Sequence, residues 1–229
     1  MASTWVVGDI HGCAVELQQL LDRIDLKADD MLLSVGDLFH RGPDPVGVLR
    51  ILQGLGDRFD MVNGNHELVL SKRLRFRAPT CLEDLRGDGG ALIDASAMDV
   101  AEEMVAFIAE RDYVQRRLLT GPAWQDHPAK HWLMVHGCVL PGVPAEQIPP
   151  RQLVRKGRRT DLPGDPYWYE HWQGPEFVVF GHAQSAAGFH IDAQGRAWCC
   201  GLDTGCVYGK KLSALRIEDL SLTQIPAAS

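Results

Sequence analysis

The stretch Thr4-Trp5-Val6-Val7-Gly8-Asp9-Ile10-His11-Gly12 joins a short apolar run to a glycine and two side chains able to bind metal. The pattern recurs four more times. Met31-Leu32-Leu33-Ser34-Val35 leads into Gly36-Asp37, Phe59-Asp60-Met61-Val62 into Asn63-Gly64-Asn65-His66, Trp132-Leu133-Met134-Val135 into His136-Gly137, and Phe177-Val178-Val179-Phe180 into Gly181-His182. Short apolar runs that end in polar loops read as buried strands. Between them, Val15, Leu17, Leu20, Leu21 and Ile24, then Val48, Leu49, Ile51, Leu52 and Leu55, recur near the helical period. Strand followed by helix, repeated, places the chain in the α/β class. In such folds the loops at the carboxyl ends of strands converge on one crevice. Five similar endings therefore predict one site.

The 229 residues, 45% of them hydrophobic, suffice for one substantial core, and a single domain over 1–229 is the expectation. A net charge of -7 provides no global positive field, which argues against a nucleic-acid polymer as partner. The cysteines at 13, 81, 138, 199, 200 and 206 follow no regular spacing, so a disulfide framework is not expected. The first residues lack the basic and apolar regions of a signal peptide, and no run approaches the roughly 18 apolar residues that span a bilayer. The expected setting is the cytoplasm, with no membrane partner.

Residues 85–126 break the strand rhythm. Ala97 to Leu119 carries Met98, Ala101, Met104, Val105 and Ile108 among charges, which predicts a helical insertion flanking the site. Pro141 to Pro166 is rich in Pro, Gly and Arg and reads as a long functional loop. Arg196 to Glu218, broken at Asp203-Thr204-Gly205, reads as further strands joined by a tight turn.

Asp9, His11, Asp37, Asn65, His136 and His182 offer oxygen and nitrogen without thiolate. Such a set suits manganese best, with iron, zinc, nickel, cobalt or magnesium as alternatives, and is unlike a closed structural zinc site. Two ions about 3.5 to 4 Å apart need a ligand able to bridge them, and Asp37 could be that bridge. Water caught between such ions ionises readily, and the same ions neutralise phosphate oxygens as charge develops. Taken singly, Gly-Asp and Gly-His pairs are more often turns and caps. Five in order outweigh that reading.

Gly8-Asp9-Ile10-His11-Gly12, Gly36-Asp37-Leu38-Phe39-His40-Arg41-Gly42, Gly64-Asn65-His66-Glu67, Val135-His136-Gly137 and Gly181-His182 resemble the motifs of the phosphoprotein phosphatase branch of calcineurin-like metallophosphoesterases. The resemblance runs from residue 8 to about 215, and its motifs keep the family's order and spacing. It implies a central β-sandwich flanked by helices on both outer faces. By the same resemblance Asp9, His11 and Asp37 hold a first metal, and Asp37, Asn65, His136 and His182 a second. His66 donates a proton to the leaving group, and Arg41 clamps the phosphate. The later stretch Gly201-Leu202-Asp203-Thr204-Gly205-Cys206-Val207-Tyr208-Gly209 looks like the bacterial members, including the symmetrical diadenosine tetraphosphatases.

The pattern departs at His40, where the protein phosphatases carry an aspartate that orients the leaving-group histidine. A second imidazole supplies no fixed negative charge to favour the imidazolium. His40 therefore enters as an altered catalytic partner, an extra metal ligand or an exposed loop residue. A phosphoanhydride asks less of a proton donor, because its leaving group is a weak base, so the substitution tilts the substrate toward nucleotides. Arg155 and Arg158, in the loop between two ligand-bearing strands, are candidates for a second phosphate contact, against the ordinary reading of a solvated charged face. Trp168, Tyr169 and Trp172 are expected in the core.

The function expected is a dinuclear metal-dependent phosphoesterase acting on a phosphorylated substrate. It would hydrolyse phosphate monoesters of the Ser/Thr phosphoprotein type or nucleotide phosphoanhydrides. Hydrolysis of a symmetrical dinucleoside polyphosphate, diadenosine tetraphosphate, is the alternative within that class. A catalytically weakened phosphate- or nucleotide-binding module is the alternative outside it.

Overall fold

The computed structural model describes residues 2–75, 96–155, 157 and 166–228. In chain order they form β1 (Thr4–Val7), α1 (Ala14–Ile24), β2 (Met31–Ser34), α2 (Pro45–Leu55), β3 (Phe59–Met61), α3 (Asn65–Arg75), α4 (Ser96–Ile108), β4 (Val114–Leu118), β5 (His131–Val135), α5 (Pro150–Leu153), β6 (Phe177–Phe180), β7 (Gly188–Ile191), β8 (Ala197–Gly201), β9 (Lys211–Arg216) and β10 (Leu222–Pro226). Two five-stranded sheets result, ordered β10-β9-β1-β2-β3 and β4-β5-β6-β8-β7. The strands that carry the repeated motif, β1 to β3 in one sheet and β5 with β6 in the other, run parallel to their neighbours of that kind.

The alternation of side chains along each strand explains why these runs are apolar throughout. Val6, Leu33, Phe177, Val179, Cys200 and Leu215 meet between the sheets. Trp5, Val7 and Leu32 point the other way and pack under α1, α2 and α4. Val178, Phe180 and Cys199 face the opposite outer layer, where Trp168, Tyr169 and Trp172 cover them. With both faces of a strand buried, period two sorts the layers but leaves no polar side. The architecture is thus the sandwich with flanking helices that the resemblance implies.

Local chemistry sets the helices. At α2, Asp44 Oδ1 accepts the Gly47 N–H at 2.7 Å, and Pro45 occupies the first turn, where its missing N–H costs nothing. Along α1, Leu17, Leu20 and Leu21 are buried against the first sheet.

Two expectations need correction. Helix does not continue to Leu119: α4 ends at Ile108, and Val114–Leu118 is the edge strand of the second sheet, antiparallel to β5. Beyond its ladder with β5, it is tied down by a residue remote in sequence. Gln115 and Arg117 both reach Asp60 of β3, across the gap between the sheets. Residues 85–95 of the expected insertion lie outside the described residues. The strands on either side of Asp203-Thr204-Gly205 are likewise not joined as a tight hairpin, because β8 pairs with β6 and β7 in one sheet and β9 with β1 and β10 in the other.

Candidate metal centre

The carboxyl ends of β1, β2, β3, β5 and β6 open on one rim, and Asp37 sits at its centre. Asp37 Oδ2 lies 3.4 Å from His136 Nε2, 3.6 Å from His11 Nε2 and 3.9 Å from His66 Nε2. His136 Nε2 lies 3.0 Å from Asn65 Oδ1 and 3.2 Å from His182 Nδ1. Asp9 completes the ring. Both its oxygens accept the His182 backbone N–H at 3.1 Å, and Oδ2 stands 4.0 Å from His11 Nε2. The six residues singled out for metal therefore converge, four from loops of the first sheet and two from the second.

Two overlapping donor groups result, one of His11, Asp37 and His66 and the other of Asp37, His136 and His182, with ligand atoms within 4.8 Å of one another in each. The shared member is Asp37. The residues also suit an ion in finer detail. His11 Nδ1 is 3.0 Å from the His40 carbonyl and His136 Nδ1 is 2.8 Å from the Val35 carbonyl. A carbonyl only accepts, so each Nδ1 carries the hydrogen and, in the neutral ring, Nε2 keeps its lone pair. That is how a metal-ligating imidazole is held.

Backbone strain is concentrated at the same place. His11 (φ 48°), Asp37 (φ 57°), Arg41 (φ 81°) and His182 (φ 63°) all adopt the left-handed conformation, as do only two other non-glycine residues among those described. Each costs on the order of 1 kcal/mol or more. An ordinary turn would use glycine, so the cluster points to side chains that the site requires. The glycines in the motifs act differently: a Cβ at Gly64 would collide with Asp37 Oδ1, and one at Gly181 with Asp9 Oδ1.

Burial pushes His11 down to about 3 and His182 to about 4, which keeps both rings neutral and able to ligate. Burial also acts against a charged His136, but Asp37 overrides it by charge and hydrogen bonding and lifts the imidazole to about 10. Burial alone would raise Asp37; its proximity to His136 instead holds it below the usual carboxylate range. Asp9 is pushed upward by burial and then by the neighbouring Asp203. Three buried carboxylates crowd one space, and a divalent cation is the counter-charge that satisfies them.

Two residues of this site were not predicted. The buried Glu67 carboxylate accepts the backbone N–H groups of Asp37, Leu38 and Gly64, each at 2.8 Å, and so fixes the loop that presents Asp37. Its position early in α3, directly after Asn65 and His66, was the available signal. Asp203 lies in the crossing between β8 and β9, buried near Asp9. Its carboxyl accepts the Gly205 N–H at 3.1 Å, which in sequence reads only as turn chemistry.

Of the remaining predicted residues, His40 is buried, 1% exposed, so it is not an exposed loop residue. Its Nδ1 lies 2.7 Å from His66 Nδ1. Arg41 Nη1 donates to Tyr208 Oη at 2.6 Å, with the guanidinium 5.8 Å from the centre of the tyrosine ring. Arg155 has an exposed side chain, and its backbone packs against Gly137, next to His136. Arg158 lies outside the described residues. A cleft of about 390 Å³ along β4 and β5, lined in part by Arg116, Trp172 and Glu176, includes none of these groups.

Carboxylates, an amide and imidazoles gathered at the strand ends of a two-sheet sandwich define the class as a metal-dependent phosphoesterase. Residues 2–203 match the model of the calcineurin-like phosphoesterases, and the chain belongs to that family, whose chemistry implies divalent metal ions. It is 29% identical to the symmetrical bis(5'-nucleosyl)-tetraphosphatase of Aeromonas hydrophila over 96% of each chain. Identity to the enzyme of the same name from Nitrosomonas europaea is 28% over 98% of each. The crystal structure of a candidate diadenosine tetraphosphatase superimposes with a TM-score of 0.75 at 26% identity, covering 100% of this chain and 95% of that one. Among the described residues, no helix is long and apolar enough to cross a membrane.

Proposed function

We propose that this phosphoesterase cleaves dinucleoside tetraphosphates at the central anhydride, releasing two nucleoside diphosphates, with two divalent ions at the Asp37 centre. The observation that carries the dinuclear reading is the place of Asp37 in both donor groups. The substrate reading draws on the likeness to tetraphosphatases over nearly the whole chain and on His40 at the position of the phosphatase aspartate.

Asp9, His11 and Asp37 would hold one ion, and Asp37, Asn65, His136 and His182 the other. When bound, the ions supply a nucleophilic water and neutralise phosphoryl oxygens. Arg41 would present its planar fork to the phosphoryl group. Its contact with Tyr208 keeps the guanidinium at the rim. His66 Nε2 faces the centre and would give a proton to the leaving oxygen, while Nδ1 is engaged by His40. A nucleoside diphosphate leaves as a weak base, so an imidazole pair without a fixed carboxylate suffices. Arg155, whose backbone packs against Gly137 next to His136, and Arg158, three positions later in sequence, are our candidates for holding the distal phosphates. Manganese is the ion we assign from the oxygen and nitrogen donors. The five described cysteines are free thiols, in keeping with a cytoplasmic setting.

The test compares manganese-loaded protein on diadenosine tetraphosphate and on a serine phosphopeptide. The expected products are two ADP per substrate, with kcat/KM at least about 100-fold above the phosphopeptide, because remote nucleoside contacts aid the reacting centre. ATP plus AMP as products, or a preference for the phosphopeptide, would refute the substrate reading. Failure on both substrates would refute catalysis as well.

A further inference from the structure

A second group of donors lies behind His11, outside the Asp37 cluster. The sulfurs of Cys13 and Cys206 and a carboxylate oxygen of Glu16 lie within 4.8 Å of one another, and all three residues are buried. Cys13 stands at the start of α1, and Glu16 follows three positions later on the same face. Cys206 arrives from the crossing between β8 and β9. Two thiols packed as small hydrophobes have no need of a carboxylate between them, yet α1 turns Glu16 inward, 6% exposed. Its Oε1 accepts the backbone N–H of Ala228 at 2.7 Å.

We propose that Cys13, Glu16 and Cys206 form a binding site for one thiophilic divalent cation of the zinc class, separate from the Asp37 centre. Ligand type selects this class, since thiolates prefer softer ions than the oxygen and nitrogen set around Asp37 does. Metal–sulfur bonds of about 2.3 Å in a tetrahedron put the two sulfurs about 3.8 Å apart, so a contraction on the order of 1 Å at most completes the site. Binding releases both thiol protons to solvent, and three protein donors leave a fourth position for water. The complex keeps one net negative charge at the first turn of α1, where the helix dipole favours it. The cover over Glu16 comes from Ala228, so a local shift of that segment admits the ion. Once bound, the ion ties the loop of His11 to the turn of Tyr208, and so to the partner of Arg41.

The experiment titrates manganese-loaded full-length protein with cadmium and reads the sulfur-to-metal charge-transfer absorption in the near ultraviolet, which oxygen and nitrogen ligands do not give. One equivalent per chain is expected to produce the band. Cys206→Ser should abolish it while elemental analysis still finds the manganese. Glu16→Gln, which keeps an acceptor for Ala228, should retain the band and weaken cadmium binding about tenfold or more. No band in the unaltered protein, or a band that survives both Cys206→Ser and Cys13→Ser, overturns the site. Should the serine variants fail to fold, unchanged cadmium affinity in Glu16→Gln overturns it equally.

Discussion

The Nδ1 atoms of His40 and His66 lie 2.7 Å apart, so one hydrogen is shared between two nitrogens. With that hydrogen on His66, an imidazolium at His66 still has its Nε2–H directed at the metal centre, and a neutral His40 accepts from it. His66→Asn is expected to lower kcat on diadenosine tetraphosphate about 100-fold or more, the usual contribution of a placed proton donor. Steady-state kinetics on the metal-loaded variant decides this, and an unchanged rate would remove His66 from proton transfer.

His40→Asp places a fixed negative charge beside His66 and favours its protonated form. The alkaline limb of the pH–rate profile should then move to higher pH, and turnover of a serine phosphopeptide, whose leaving group is a strong base, should rise. If neither changes, His40 is itself adapted to the native leaving group.

Metal uptake should be linked to protons through His136. Held at about 10 by Asp37, the metal-free ring is charged near neutrality, and ligation must expel its proton. Affinity should climb about tenfold per pH unit toward that value, with close to one proton released per ion at this position. Calorimetry in buffers of different ionisation enthalpy measures it.

The same shifts set the stability of the metal-free protein. A raised His136 contributes stability that is complete below the unfolded histidine value near 6.5 and is lost as pH rises through about 10. His11 and His182, lowered to about 3 and about 4, act in the acid range: stability falls as pH drops below about 6.5 toward those values. Thermal melts of chelated protein should therefore peak near neutrality and decline on both sides. A flat profile would mean that these groups do not differ between the folded and unfolded chain.

Glu67→Gln replaces an acceptor-only group by one that must set an N–H against backbone donors of Asp37, Leu38 or Gly64. A cost of about 1 to 3 kcal/mol is expected, lowering Tm by about 2 to 4 °C per kcal/mol in a chain of this size. Metal affinity should fall about 10- to 100-fold as Asp37 loses its support. Wild-type values of both quantities would show that the three N–H groups find other partners.

The strands β1, β2, β3, β5 and β6 and the six convergent donors could be read from sequence because their causes are local. An apolar run, a glycine and a ligating side chain are neighbours in the chain, and burial on both faces leaves a continuous signature. What was not legible depends on remote partners. Gln115 and Arg117 lie in a strand that pairs with β5 and reaches Asp60, more than fifty positions away. Asp203 has the local hydrogen bond of any turn aspartate, and only the fold brings it to Asp9. His40 sits in a loop motif with nothing nearby to announce that it would be buried against His66, and the pairing of Cys13 with Cys206 is equally hidden.

Asp9, His11, Asp37 and Asn65 hang from one sheet, while His136 and His182 hang from the other. An ion held by Asp37 and His136 together would be a rivet through both plates of the sandwich. Apolar contacts between the plates, such as Val6, Leu33 and Val179, resist separation but tolerate slip, and the bonds of Gln115 and Arg117 to Asp60 and of His136 to the Val35 carbonyl add a limited lateral hold. Chelation should loosen the seam, so the spacing of the six donors would be maintained in part by the cargo they carry.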